Sequence, residues 1–132
     1  MNANLTADEP KRTAQTSKST NLLMNHLNSF LQNELQDLML DYSEESVFVT
    51  QDTTYTGLSE IKGFFTNLMV HFPKQDSKFV LDKMTVKDEL GFIVWHATTP
   101  TVDVPLGTDT FIIKDGKISR QTFAAIINYL NS

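Results

Sequence analysis

The sequence predicts an α+β fold in which an amphipathic helical first half packs against a C-terminal sheet of long strands. Two observations carry this. Apolar residues recur at helical spacing as far as Phe72, and from Lys78 onward the period changes from 3.6 to 2. A third is Asp115-Gly116, a tight-hairpin pair standing between two strand-like runs. Helices, a small hairpin, another helix and then a meander describe one sheet covered on one face by helices.

The first helix is expected over Lys18 to Gln32, where Leu23, Leu27, Phe30 and Leu31 share a stripe with His26. Asn33-Glu34-Leu35-Gln36 has the form of an N-cap with Gln at N3, and opens a short second helix ending near Tyr42. Val47-Phe48-Val49-Thr50, the turn at Asp52 and Thr53-Thr54-Tyr55-Thr56 read as a small hairpin. Gly57, with Glu60 three residues on, starts a third helix whose face of Leu58, Ile61, Phe65, Leu68, Met69 and Phe72 stops at Pro73. Strands are then expected over Lys78 to Lys87, Leu90 to Thr99, Thr108 to Lys114 and Lys117 to Ile127. Met1 to Ser17 is polar and reads as a mobile tail, leaving residues 18–132 as a single domain.

Composition narrows the function classes. A chain of 132 residues, 40% apolar, is long enough for one core and too short for two. With no cysteine there are no disulfides and no thiolate nucleophile, which fits a reducing, cytoplasmic setting. No apolar run approaches the ~18 residues of a membrane span, and the start lacks the apolar core of a secretory signal. A net charge of −5 with scattered Lys and Arg argues against nucleic acid as a partner. His26, His71 and His96 show no paired ligand spacing, so neither a metal nor another cofactor is expected.

Three stretches carry a family resemblance: Asp41-Tyr42-Ser43-Glu44-Glu45-Ser46-Val47, then Tyr55-Thr56-Gly57-Leu58-Ser59-Glu60-Ile61 with Phe64-Phe65, then Asp109-Thr110-Phe111 leading to Asp115-Gly116-Lys117-Ile118. Across Leu22 to Ala125 the chain resembles the nuclear transport factor 2-like superfamily, in particular its SnoaL-like polyketide cyclase and ketosteroid isomerase-like branch. The resemblance implies a cystatin-like, cone-shaped α+β barrel, with three helices on a strongly curved, mostly antiparallel sheet. It also implies a pocket for a small hydrophobic or oxygen-bearing organic ligand, and a homodimer paired through the outer sheet face.

By the same resemblance the isomerases' general-base aspartate falls on Thr50. A threonine hydroxyl does not abstract a carbon-bound proton near neutral pH, so the isomerase mechanism is not carried over. The isomerases' oxyanion-hole acid falls on Asp109 and their tyrosine on His26. Strand alternation, set by the resemblance, puts Phe92, Val94 and His96 toward the cavity and Trp95 on the opposite face, with Gln121 and Phe123 facing in from the last strand. The expected catalytic cluster is therefore His26, His96 and Asp109, in a pocket of Phe30, Thr50, Tyr55, Phe65, Phe92, Val94, Gln121 and Phe123. An imidazole oriented by a carboxylate makes a competent acid or base. The alternative is a non-catalytic dimeric ligand-binding or protein-interaction module in which these histidines are satisfied core residues.

Overall fold

A computed structural model describes residues 13–130. It contains three helices, α1 (Ala14–Leu31), α2 (Leu35–Met39) and α3 (Gly57–Met69). Six strands follow the expected order: β1 (Val47–Thr50), β2 (Thr54–Thr56), β3 (Lys78–Lys87), β4 (Leu90–Thr98), β5 (Val102–Lys114) and β6 (Lys117–Tyr129). They form one sheet in the order β2-β1-β6-β5-β4-β3. Every pair is antiparallel except β1 with β6. The helices pack on one face of this strongly curved sheet and make the α+β cone.

α1 starts earlier than its apolar stripe indicates. Thr13 Oγ1 accepts from the Thr16 N–H at 2.9 Å, a side-chain N-cap, so residues 14–17 of the expected tail are helical. The β3–β4 turn fixes this end. Thr16 Oγ1 accepts from the Asp88 N–H at 2.8 Å, and Ser19 Oγ donates to the Asp88 carbonyl at 2.6 Å. The rest of the expected tail, residues 1–12, lies outside the described residues.

Asn33 does not cap α2. Glu34 holds the N-cap position without a side-chain bond, and Asn33 instead sits at φ 58°. Its Nδ2 donates to the carbonyls of Met69 and Phe72, at 2.8 and 2.7 Å. These acceptors lie at and just past the C-terminal end of α3, where carbonyls lack helical partners, so the α1–α2 turn also secures a second helix end. At the other end of α3 the Thr56 N–H donates to Glu60 Oε1 at 2.8 Å.

The sheet bends where its pairing slips. Register shifts occur at Leu81/Lys83, Trp95/Ala97, Asp103/Leu106 and Ile112/Ile113. The Asp103/Leu106 slip contains Pro105, which has no N–H to give a ladder and is tolerated in a central strand only at such a bulge. This explains why β5 begins at Val102 and not at Thr108. The Asp115-Gly116 turn has φ of 52° and 73°, the type I′ geometry expected.

The alternation along β4 is opposite to the expected one. Ile93, Trp95 and Ala97 are buried on the inner face, so Phe92, Val94 and His96 belong to the outer face. Phe92 and Val94 are as apolar as Ile93 and Trp95, and a one-residue shift exchanges the faces of a strand. Two features decide the matter. The Trp95 indole stacks between Phe79 and Phe123, with centroids 5.1 and 6.2 Å away. It also lies across Gly107, where a Cβ would stand 2.3 Å from the ring.

Candidate functional site

The inner end of the cone holds a connected set of buried polar side chains among aromatic rings. α1 supplies His26, 4% exposed, on the stripe that also carries Leu23. Asp41 and Tyr42 follow α2 in a segment tied to β6, where the Ile118 N–H donates to the Asp41 carbonyl at 2.7 Å. Inward-facing positions of β4, β5 and β6 add Trp95, Asp109 and Gln121.

These groups form two hydrogen-bonded runs, Asp41–His26 and Tyr42–Gln121–Asp109–Trp95, which approach each other at His26 and Tyr42. His26 Nδ1 lies 2.9 Å from Asp41 Oδ2. A carboxylate only accepts, so Nδ1 carries the hydrogen and, in the neutral ring, Nε2 presents a lone pair. Tyr42 Oη stands 3.4 Å from that Nε2 and donates its single proton to Gln121 Oε1 at 2.5 Å. The Gln121 amide is thereby oriented, and its Nε2 donates to Asp109 Oδ2 at 2.8 Å. Trp95 Nε1–H donates to Asp109 Oδ1 at 2.9 Å.

Burial raises the Asp109 carboxyl to about 6, against the opposing pull of the Trp95 and Gln121 hydrogen bonds and the nearby His26. Burial, then the Asp109 and Asp41 charges, push the Tyr42 phenol well above its usual range. Tyr42 therefore stays protonated and acts as a donor.

A cavity of about 40 Å³ adjoins this chain, walled by His26, Asp109 and Gln121 and by the rings of Phe30, Phe48, Phe65, Phe79, Trp95, Phe111 and Phe123. With Phe64, Leu68 and Phe123 in place it has room for water and none for an aromatic ring. Beyond Phe64, Leu68 and Phe123, which line both spaces, lies an open cleft of about 770 Å³ between α3, the β1–β2 hairpin and β6. These three side chains are the partition between cleft and cavity.

The expected site is thus partly assembled. His26 and Asp109 reach the same cavity but do not touch; Tyr42 and Gln121 stand between them. Phe30, Phe65, Gln121 and Phe123 line the inner cavity. Thr50 and Tyr55 line the cleft, and the Thr50 hydroxyl is engaged with the carbonyl of Thr53 at 3.1 Å. His96 is removed from the site, since its outer-face ring is 2.7 Å from Asp82 with both side chains more than two-fifths exposed. Phe92 and Val94 leave with it. Asp41, Tyr42 and Trp95 were missed as site residues. Asp41 and Tyr42 lie within a stretch that carries the family resemblance, but Tyr42 and its acceptor are 79 positions apart. Among the described residues no three His, Asp or Glu side chains converge as a metal site.

No family model and no curated relative matches the sequence. Solved structures match the fold. A candidate ketosteroid isomerase from Kribbella flavida DSM 17836 superposes with a TM-score of 0.70 at 13% identity, over 89% of this chain and 84% of its own. An NTF2-like protein of unknown function from Mesorhizobium loti gives 0.71 at 13%, over 86% and 95%. A candidate SnoaL-like polyketide cyclase from Shewanella putrefaciens CN-32 gives 0.66 at 11%, over 81% and 79%. The chain has the nuclear transport factor 2-like fold.

Proposed function

We propose that this nuclear transport factor 2-like chain binds a small, largely apolar organic molecule at the inner end of its cone, with His26 as the group that exchanges a proton with it. The observation that supports this most is the Asp41–His26 pair at the cavity wall. A carboxylate holding one ring nitrogen leaves the other poised as a base, and the same carboxylate stabilises the imidazolium once formed. Asp109, with its raised pKa, lies on the same wall. The reaction class in view is an isomerisation, cyclisation or dehydration without the isomerases' aspartate base, since Thr50 stands at that position by resemblance.

Entry is from the open cleft, through movement of Phe64 or Phe123. Thermal-shift screening with steroid-like, aromatic polyketide-like and short hydroxy-acid compounds tests the reading, because a ligand bound only to the native state raises Tm. One class is expected to raise Tm in the wild type and not in His26→Ala. The small closed cavity favours a second reading, a non-catalytic module. Null shifts for all classes, with His26→Ala as stable as wild type, would select it. We further propose a homodimer through the outer sheet face and a cytoplasmic setting, which the cysteine-free composition suits. No described helix is long and apolar enough to cross a membrane.

A further inference from the structure

We infer that the ligand of this site is a hydrogen-bond donor, a phenol or arylamine, and not a carboxylate or a compound offering only a carbonyl. This rests on the proposed pocket and specifies its chemistry.

The donors at the cavity wall, and that of Tyr42 behind it, are nearly all committed. Trp95 N–H is given to Asp109 Oδ1, Tyr42 O–H to Gln121 Oε1, and the His26 Nδ1 hydrogen to Asp41. One Gln121 amide hydrogen goes to Asp109 Oδ2. What is left over is mostly lone pairs. A carboxylate has about four acceptor sites, of which Asp109 uses two, and the neutral His26 Nε2 adds another. Against these stands a single unspent hydrogen, the second one on the Gln121 amide. A ligand carbonyl or carboxylate would bring lone pairs to lone pairs, and burying unmatched acceptors is unfavourable.

The approach to the cavity has the same polarity. The cleft is lined by Asp52 and Glu60 and by no Lys or Arg. An anion therefore meets like charge at the mouth and again at Asp109. The walls between are aromatic, which suits a flat ring carrying one O–H or N–H. A phenol placed there donates to His26 Nε2 or to Asp109, and transfer of its proton to Nε2 gives a phenolate beside an imidazolium held by Asp41.

Trp95 is the single tryptophan, and its indole N–H is bonded to Asp109, so its nuclear magnetic resonance signal reports on this wall alone. The full chain is titrated at about pH 8, where a carboxyl of pKa about 6 is ionised, with phenol, aniline, acetophenone and benzoate. The same series is run on Phe64→Ala, which opens the partition. Phenol and aniline are expected to shift the indole signal saturably, and at lower concentration in the variant. Acetophenone and benzoate are expected to bind at least about tenfold more weakly, as a site built for one hydrogen-bond pattern rejects its inverse. Acetophenone or benzoate binding as tightly as phenol would overturn the donor assignment and leave the pocket standing. Silence from all four compounds in both proteins overturns the assignment and the pocket together. If Phe64→Ala does not fold, the wild-type series decides alone.

Discussion

Asp109 places a carboxyl, 7% exposed, among aromatic rings, and its two hydrogen bonds do not offset the burial. Its folded pKa of about 6 lies above the ordinary aspartate value of 3.8, so the native state holds the proton more tightly than the unfolded chain. The sign follows: stability falls as pH rises from about 4 to 6, and the penalty is complete above that window. A shift of this size corresponds to about 3 kcal/mol. Urea unfolding at about pH 4 and pH 8 should therefore show wild type losing up to ~3 kcal/mol relative to Asp109→Asn, which cannot titrate. Other carboxyls cancel in that comparison. A difference between the two proteins that does not vary with pH would mean that the carboxyl stays solvated.

Two glycines at residue scale separate tolerable from intolerable crowding. At Gly91 an added Cβ meets the end of the Leu23 side chain at 2.4 Å, and leucine can change rotamer. At Gly107 the added Cβ meets the Trp95 ring, which is held between Phe79 and Phe123 and has nowhere to turn. Gly107→Ala is therefore expected to cost about 2 kcal/mol or more and to displace the indole N–H signal, with Gly91→Ala costing less. Equal losses in denaturant melts would show that the indole is free to shift.

At the scale of elements, the turn between α1 and α2 closes α1 through its backbone and reaches the end of α3 through the Asn33 side chain. Asn33 holds the carbonyls of Met69, at the end of α3, and of Phe72, three residues beyond it, while keeping a left-handed backbone. Asn33→Gly keeps the backbone relaxed and removes the bonds, for an expected loss of about 1–2 kcal/mol. Asn33→Ala adds the cost of a Cβ at positive φ and should be worse by roughly another 1 kcal/mol. Hydrogen exchange checks the location, since the loss should appear first as faster exchange near Met69 and Phe72. An Ala variant no less stable than the Gly one would argue that the turn relaxes to negative φ.

The same elements show what a sequence can and cannot disclose. Helical stripes, the Asp115-Gly116 turn and the change of period at Lys78 are local signals, and each element they mark exists, with ends moved by as much as the six residues from Thr108 to Val102 in β5. The functions of Asn33 and Trp95 are not local. The partners of Asn33 are 36 and 39 residues away, and the face of Trp95 depends on a glycine in the neighbouring strand. With Phe92 and Val94 as apolar as Ile93 and Trp95, alternation alone gave no sign of which set turns inward. His26 and Asp109 could be named from the resemblance. The side chains that connect them could not be, because Tyr42 reads equally well as the last residue of a helical stripe.

For the whole molecule, the curvature that makes the cone also decides what its outer face presents. On that face Val80 of β3, Leu106 of β5 and Ile126 of β6 are 44, 45 and 53% exposed, and Leu106 and Ile126 pair across the β5–β6 ladder. The half-buried Phe92 and Val94 continue the same apolar surface on β4. Covering such a face with a second copy is the economical arrangement, and a stable interface needs about 800 Å² from each partner. Sedimentation velocity should then give a species of about twice the 14.9 kDa chain mass. The double variant Leu106→Lys, Ile126→Lys should sediment as a monomer, because each dimer would bring four like charges together at its centre. Both substitutions point away from the cavity, so the Trp95 indole signal should be unchanged in the monomer. A wild-type monomer at high concentration would sink the dimer proposal while leaving the inner site untouched, since every side chain of the Asp41-to-Trp95 network comes from one chain.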